Sequence, residues 1–362
     1  MLPSQDPCSW LGLFVLHSRT IDDMAQSQPQ LVSADDLEQL LARLSQSSPD
    51  PSRGLFGPGS ISWKVNRESA LFLAATRAAL LQVAHPWVAT AIAQHSKTFH
   101  DPVARFHQTF RIMFTMSFGS LEQAFVASRQ LHRRHQGIRG TLPEPMGRFA
   151  AGASYEANEV EALLWVYATL IDSSVLAYEL VLPPLTAAER EQYYTEGRLA
   201  AALFGVPPEC WPQDWTGFSS YMNLALQSDM LAVTDATREM GHRLQEGAGL
   251  KLRPPYWYRS LTIQMLPPRV RAEFGFPYGT REQESAARAL RWIRRIHPYL
   301  PAAARFVGPY NEALSRLAGK RPGTAVRMAN KLWIGRPELF ASSSCTNASR
   351  IAAHASRQNL TQ

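Results

Sequence analysis

The sequence predicts an all-α protein in which a single large helical domain covers residues 61–320 of the 362-residue chain. Three observations lead to this fold class. No stretch alternates apolar and polar residues with the period of two that half-buried strands show. Several long segments are apolar at helical spacing or nearly all round, and Pro, Gly or capping residues mark most of their ends. The 45% hydrophobic content is enough for a large core, which excludes a disordered chain.

The segments outside this domain are expected to be mostly polar. Residues 1–60 form an N-terminal extension with one short helix, because Ser33 and Asp36 resemble a capping box and leucines at helical spacing follow them. The apolar run at residues 10–16 lacks a preceding basic residue and a small-residue cleavage site. It is therefore not interpreted as a signal peptide, and a cytoplasmic location is expected, with peripheral membrane association as an alternative. Residues 321–362 form a C-terminal extension that ends in a low-complexity tail.

The helices of the central domain have ends that the sequence marks. Asp101 followed by Pro102 is typical of a helix start, Ser120 can cap the next helix, and Thr186 opens a full capping box. The predicted helices cover residues 67–84, 89–94, 102–117, 121–135, 159–182, 186–204, 215–226, 230–245, 268–274, 281–296 and 301–318. The Gly- and Pro-rich residues 141–154 are expected to form a loop.

Two apolar segments, residues 70–93 and 160–182, reach the length of a membrane span. The first contains an arginine and a proline, and the second carries Glu161, Asp172 and Glu179. One ionised group at the centre of a bilayer costs roughly 2.5–3.5 kcal/mol on insertion scales. Both segments are therefore predicted to be buried helices, and no stable membrane span is expected.

Composition and motifs exclude several classes of function. The net charge is +7, but the basic residues are spread along the helices, and no stacking motif accompanies them, so no nucleic-acid partner is expected. The sequence contains no GxGxxG, P-loop, HExxH or GxSxG motif, which leaves nucleotide, zinc-protease and serine-hydrolase sites without support. The three cysteines form neither a CxxC pair nor an even disulfide set.

Chemistry-bearing side chains are concentrated between residues 82 and 140. This stretch holds six of the ten histidines, namely His85, His95, His100, His107, His132 and His135. On the helix that begins at Pro102, Arg105, Gln108 and Thr109 share one face at spacings of three and four. Phenylalanines surround that face, so it would otherwise be core, and a buried arginine needs a partner. Asp172 could be such a partner, and a threonine can also bond back to its own helix.

The next helix carries His132 and His135 three residues apart, so the two rings roughly share a face. Taken singly, each histidine has an ordinary explanation as a packed or surface residue. The combination of an Arg/Thr face, a neighbouring His-bearing helix and many aromatic residues favours a cofactor site. Haem needs an imidazole for iron, cations for its propionates and an aromatic-lined slot. A non-haem iron site needs two histidines and a carboxylate.

Several segments resemble a family of b-type haem oxygenases, the latex-clearing protein and MpaB-type family. They are LLQVAHPWVA at 80–89 with HS at 95–96, DPVARFHQT at 101–109, HQGIRG at 135–140, LWVYAT at 164–169, YYTE at 193–196 and LFGVP at 203–207. The segments occur in order, and the resemblance covers about residues 63–320.

The resemblance implies an all-helical fold around one haem b. It implies that His135 is the proximal iron ligand, and that Arg139 with it belongs to the cofactor-binding residues. His132, one turn earlier, is the alternative ligand. Arg105 and Thr109 match the family's distal Arg and Thr, which act on the open side of the haem.

Two departures from the rubber-cleaving members of that family bear on the reaction. Those members have a lysine immediately before the distal threonine, where this chain has Gln108. They also use an upstream glutamate as a base, whereas the only acid between positions 71 and 104 here is Asp101, which is expected to cap a helix. Both departures argue against rubber cleavage and leave haem binding intact.

The prediction is a haem b-dependent oxidoreductase of the oxygenase or peroxidase/desaturase type. Its substrate would be a hydrophobic small molecule of specialised metabolism, and its oxidant dioxygen or peroxide. Arg105, Gln108 and Thr109 are the candidate catalytic residues. Two alternatives remain open: a non-haem metal oxidoreductase that uses His132 and His135 with a carboxylate, and a non-catalytic haem-binding helical protein.

Overall fold

The computed structural model describes residues 30–96, 101–247 and 253–340. Within these ranges the chain forms α-helices, short 3-10 turns and one antiparallel pair of three-residue strands, which confirms the all-α class. The helices are α1 (Ala34–Ser47), α2 (Ile61–Asn66), α3 (Ala75–Val83), α4 (Pro86–His95), α5 (Pro102–Phe118), α6 (Leu121–Gln136), α7 (Val160–Val181), α8 (Ala187–Ala201), α9 (Trp215–Gln227), α10 (Asp235–Gln245), α11 (Tyr256–Met265), α12 (Pro268–Glu273), α13 (Thr280–Ile296), α14 (Ala302–Arg305), α15 (Gly308–Leu317) and α16 (Thr324–Ile334). The strands are β1 (Arg139–Thr141) and β2 (Ser154–Glu156).

The predicted caps start the helices where the sequence places them. Ser33, Ser120 and Thr186 each accept a hydrogen bond from the backbone three residues on, and each forms a complete capping box. Asp101 Oδ1 accepts from the Ala104 backbone N at 2.9 Å, and Pro102 takes the first helical position. These side chains satisfy backbone donors that the first helical turn leaves without partners.

Where two segments of the chain cross, one predicted helix starts late and another is interrupted. The predicted helix over 67–84 is a 3-10 segment, Ser69–Ala74, followed by α3, and the predicted helix over 301–318 is divided into α14 and α15. At the crossing, Val307 N donates to Arg67 O at 2.9 Å, and Glu68 pairs with Phe306 as an isolated antiparallel bridge. These hydrogen bonds hold the backbone extended, so a tertiary contact overrides helical propensity.

Other differences lie in short elements. The strands β1 and β2 border the segment 141–154 that was expected to be loop, and three-residue strands are too short to show an alternating pattern. Helices α2, α11 and α16 are not among those that the sequence predicts. Helix α10 begins only at Asp235, capped by Thr234, rather than at residue 230.

Helix α7 forms the centre of the core. Trp165 is fully buried there, and its Nε1 donates to the Leu81 carbonyl of α3 at 3.1 Å. Among the described residues, α7 alone is long and apolar enough to cross a bilayer by length and composition. Most of its apolar window is buried inside the protein, and a core helix passes the same test, so this is weak evidence for a span.

Segments at both ends of the described chain pack on this core. The leucines of α1 are buried against α6 and the 3-10 turn Ala202–Phe204. Helix α16 packs on α5, and the Glu312 carboxylate accepts from the backbone N of Leu339 and Phe340. The apolar run at residues 10–16 and the tail from residue 341 lie outside the described residues.

Candidate functional site

A cavity of about 700 Å³ lies between helices α4 to α7 and the β1–β2 pair. Its volume falls within the roughly 300–1,000 Å³ of typical small-molecule and cofactor sites. The apolar part of its wall consists of Trp87, Val88, Ala91, Ile92, Ala104, Ile138, Ala157, Ala162, Leu163 and Val166. The polar part includes Gln82, His95, Asp101, Arg105, Gln108, Arg111, Arg134, His135, Tyr155 and Glu156. The cavity therefore combines an apolar slot with a concentration of arginines.

His135 lies on the cavity wall, in the last turn of α6. Burial lowers the pKa of its imidazole to about 4, and the positive charge of nearby Arg105 lowers it further. The ring is consequently neutral near pH 7, and neutral imidazole is the form that coordinates a metal ion.

Asn158 connects the His135 ring to the backbone of α6. Its side chain is buried, and its Nδ2 donates to the His132 carbonyl at 3.2 Å. The same amide lies in hydrogen-bonding contact with the His135 ring and favours the protonated ring. Because this contact raises the pKa of the ring, it is the amide oxygen that faces a ring N–H as acceptor. An imidazole with one nitrogen engaged in this way keeps the other for a ligand.

His132 does not share the cavity with His135. Its ring is buried, and its Nε2 bonds to the Val32 carbonyl at 2.8 Å, which ties α6 to the segment before α1. A separation of three residues turns the side chain by about 60° around a helix axis, enough to aim the rings at different neighbours. The spacing that predicted a shared face therefore does not bring both imidazoles to the cavity.

The first turns of α5 supply Arg105, Gln108 and Arg111 to the cavity wall. When the Gln108 amide oxygen faces α6, it accepts from Nη1 and Nη2 of Arg134 at 3.0 Å each. Burial and the neighbouring Arg134 charge lower the pKa of Arg105. Asp172, considered as a partner for Arg105, instead pairs with Arg77 at 2.7 Å.

Two further candidates lie apart from the cavity wall. Thr109 is half-buried on α5 and is not among the lining residues. Arg139 is exposed at the start of β1, and its carbonyl oxygen accepts from Nε2 of His95 at 3.1 Å. His95 itself lines the cavity.

The remaining histidines of the 82–140 stretch have structural surroundings. His85 is fully buried beside Trp87 and Phe149, with ring centroids 5.5 and 5.6 Å away, and burial lowers its pKa to about 3. His107 bonds through Nε2 to the Leu332 carbonyl of α16 at 3.0 Å. His100 lies outside the described residues.

Two carboxylates, those of Asp101 and Glu156, lie on the cavity wall. Asp101 lies at the wall but caps α5, as predicted. Glu156, at the end of β2, is a second carboxylate on the wall. Neither Glu156 nor Asn158 carries a signal in the sequence, because a short strand and a loop residue have no periodicity.

The described ranges contain no group of three His, Cys, Asp or Glu side chains arranged to hold a metal ion. A non-haem site of two histidines and a carboxylate would need such a group. Haem needs fewer protein ligands, since the porphyrin supplies four nitrogens and one histidine can supply the axial bond.

Comparison with known proteins places the chain in a family. A family model described as "ER-bound oxygenase mpaB/B'/Rubber oxygenase, catalytic domain" matches residues 63–295, more than half of the chain. The chain belongs to this mpaB/rubber oxygenase family. The matched range includes α3 to α7 and every residue of the cavity wall. The description of the family model names oxygenases and identifies the matched range as their catalytic domain.

Two curated relatives are similar in sequence. The uncharacterized proteins Mb2261 of Mycobacterium bovis and Rv2237 of Mycobacterium tuberculosis are each 23% identical over 164 residues. The match covers 44% of this chain and 61% of each relative, so the chain spans less than two thirds of their length. No solved structure matches the chain.

Proposed function

We propose that the protein is a haem b-dependent oxygenase that binds the haem in the 700 Å³ cavity through His135 and oxidises a hydrophobic small molecule. The observation that carries this proposal is the placement of one neutral imidazole, next to Asn158, on the wall of a cavity that combines an apolar slot with three arginines.

The arginines fit the anionic edge of a haem. Arg105, Arg111 and Arg134 line the same cavity, and within the described ranges none of the three forms an ion pair with a carboxylate. Besides burial, the charge of Arg134 lowers the pKa of both Arg105 and Arg111, so the three like charges repel one another and favour an anionic ligand. The two propionates of haem b would supply the negative charges, and arginine binds carboxylates through paired hydrogen bonds. The apolar wall around Trp87 and Leu163 would cover the porphyrin faces.

A bound haem would supply the redox chemistry by which dioxygen or peroxide oxidises the substrate. The chain's own residues would set the conditions around it. Arg105 would donate hydrogen bonds to a ligand in the cavity, and Arg134 holds the Gln108 amide in place. Glu156 offers a carboxylate that can accept a proton. Trp87 and its apolar neighbours keep bulk water from the reacting atoms.

The non-haem alternative has less support. It requires His132 as a ligand, but Nε2 of that ring is bonded to the Val32 carbonyl. A non-catalytic haem-binding protein is the other alternative, and turnover of an oxidisable substrate by the haem-loaded protein separates it from the enzyme.

The test is the absorption spectrum of the purified protein and two variants. The wild-type protein should show a Soret band, and His135→Gly should lose it because the axial imidazole is gone. Added free imidazole should restore the band, since it can occupy the space of the removed side chain. His132→Ala is the matched control and should keep its haem. Full haem content with an unshifted spectrum in His135→Gly would contradict the assignment.

A further inference from the structure

A second cavity, of about 160 Å³, follows the first along the same helices. On α7, Val166 lines the first cavity and the next residue, Tyr167, lines the second. On α5, Gln108 lines the first and Phe110 the second. Helix α3 also contributes to both cavities. The two spaces are therefore neighbours within the helical core, because their nearest lining residues are only one or two positions apart on α7 and α5.

The wall of the second cavity is apolar and carries no charge. Its apolar residues include Leu71, Phe72, Ala75, Phe114, Leu170 and Leu203. No Lys, Arg, His, Asp or Glu is among its lining residues. An ionised group would lose its hydration there without gaining a counter-charge. The cavity consequently suits an uncharged, apolar ligand.

One part of this wall is polar but neutral. The Tyr193 hydroxyl donates to Asn66 Oδ1 at 3.1 Å and receives a hydrogen bond from Ser174. Burial raises the pKa of Tyr193 to about 12, and burial together with the neighbouring Tyr193 raises the pKa of Tyr167. Both phenols therefore stay protonated and able to donate.

The Tyr167 hydroxyl has no hydrogen-bond partner in the part of the chain that the structure describes. Its ring packs against Phe204 at 4.8 Å and Trp211 at 5.8 Å, which fixes its orientation. A fixed donor without a partner on the wall of an apolar cavity is best satisfied by an oxygen of a ligand.

We propose that the second cavity binds the far end of the substrate, an uncharged apolar chain that ends in a hydroxyl or carbonyl oxygen, and that Tyr167 donates to this oxygen. The inference rests on the proposed function only in treating this ligand as the substrate of the haem site. Ligands that end in a carboxylate should bind less tightly to the second cavity, because the cationic side chains line the first cavity and not the second.

The experiment measures the binding of 1-octanol and of octanoate at pH 8 by isothermal titration calorimetry. Octanol should bind at least about tenfold more tightly than octanoate, because only the carboxylate has to shed ionic hydration. Tyr167→Phe should weaken octanol binding about two- to tenfold, the range of one neutral hydrogen bond. It should leave octanoate binding unchanged. Tyr299→Phe is the control, because its side chain is 85% exposed and distant from the cavity wall.

Calorimetry does not depend on haem, so the two proposals fail separately. Octanol binding should persist in His135→Gly, whatever its haem content. Ala75→Leu should abolish octanol binding by filling the cavity, and the circular dichroism melt of each variant reports whether it folds. Equal binding of octanol and octanoate, or unchanged octanol binding in folded Tyr167→Phe, would overturn the assignment of the second cavity.

Discussion

At the residue scale, Asn158 lies beside His135 and is placed to accept from one nitrogen of its imidazole. A carbonyl-type acceptor on one ring nitrogen fixes the tautomer and raises the basicity of the other nitrogen. We expect Asn158→Asp to lower the midpoint potential of the bound haem, because a carboxylate is a stronger acceptor and stabilises ferric iron. Asn158→Leu should raise it, because the acceptor is lost. A spectroelectrochemical titration measures both shifts, and shifts of the same sign would indicate a merely structural role.

Arg105 is expected to act in turnover rather than in holding the haem by itself. Its side chain lies on the cavity wall near Arg134 and His135, and a hydrogen bond to a charged group contributes about 1.5–3 kcal/mol. Arg105→Ala should thus lower turnover by about ten- to a hundredfold while much of the haem remains. Steady-state kinetics with haem quantification is the measurement, and Arg133→Ala, an exposed change on α6, is the control. Wild-type kinetics in Arg105→Ala would refute this role.

The sequence predicts the candidate site only where side chains occur in a pattern. Arg105 and Gln108 share a predicted face and do reach one cavity with His135. His132 fits the same spacing but is covered by the segment at Val32. Helical spacing defines which side chains point alike, and only the tertiary structure decides which neighbour covers them.

At the scale of elements, helix starts were predictable and interruptions were not. A capping box is local, so Thr186 marks the start of α8 within four residues of sequence. The extended backbone at residues 67–68, where a helix was expected, depends on Val307, which is distant in the chain. Residues that meet only after folding leave no periodic trace in the sequence.

The start of α7 carries a pH-sensitive carboxyl group. Glu159 is buried where it pairs with Leu31 as an isolated bridge. Burial raises its pKa from 4.5 to about 8, and the neighbouring charges of Glu161 and Glu156 add to the shift. Between these two values the folded state holds a proton that the unfolded chain has released. The contribution of Glu159 to stability is therefore present below about pH 4.5 and falls as pH rises towards 8.

Replacement of this carboxyl by a neutral amide should remove that dependence. Glu159→Gln should match the wild-type free energy of unfolding near pH 5 and exceed it at pH 8 by up to a few kcal/mol, since one pKa unit corresponds to about 1.4 kcal/mol. Urea unfolding at pH 5, 6.5 and 8 tests this, with Glu144→Gln as an exposed control. Parallel pH profiles for wild type and Glu159→Gln would show that Glu159 does not titrate in this range.

At the scale of the whole molecule, the packed structure extends beyond both ends of the range that the family model matches. The match covers residues 63–295, whereas α1 and α16 lie outside it and pack on α6 and α5. These flanking helices support the two helices that carry His135 and Arg105. All residues of the cavity wall thus lie within the matched range, and helices from the segments before and after this range pack against the helices that form the wall.

The groups on the cavity wall argue against efficient cleavage of polyisoprene. Gln108 is a neutral amide bonded to Arg134, and Asp101 is occupied as a helix cap. The remaining carboxylate, Glu156, belongs to the strand pair that follows His135 rather than to α5. Proton abstraction next to the alkene would therefore lack an acceptor on the α5 side, and a positioned base contributes roughly 10²–10⁴-fold.

We expect haem-replete protein incubated with polyisoprene latex in air to release few or no carbonyl-ended oligomers. Gln108→Lys should not restore cleavage, because it supplies the amine but not the base. A rubber oxygenase assayed in parallel gives the reference rate, and chromatography with mass detection identifies the oligomers. Release from the wild-type protein at a comparable rate would mean that Gln108 is no obstacle and that another group, with Glu156 the first candidate, accepts the proton.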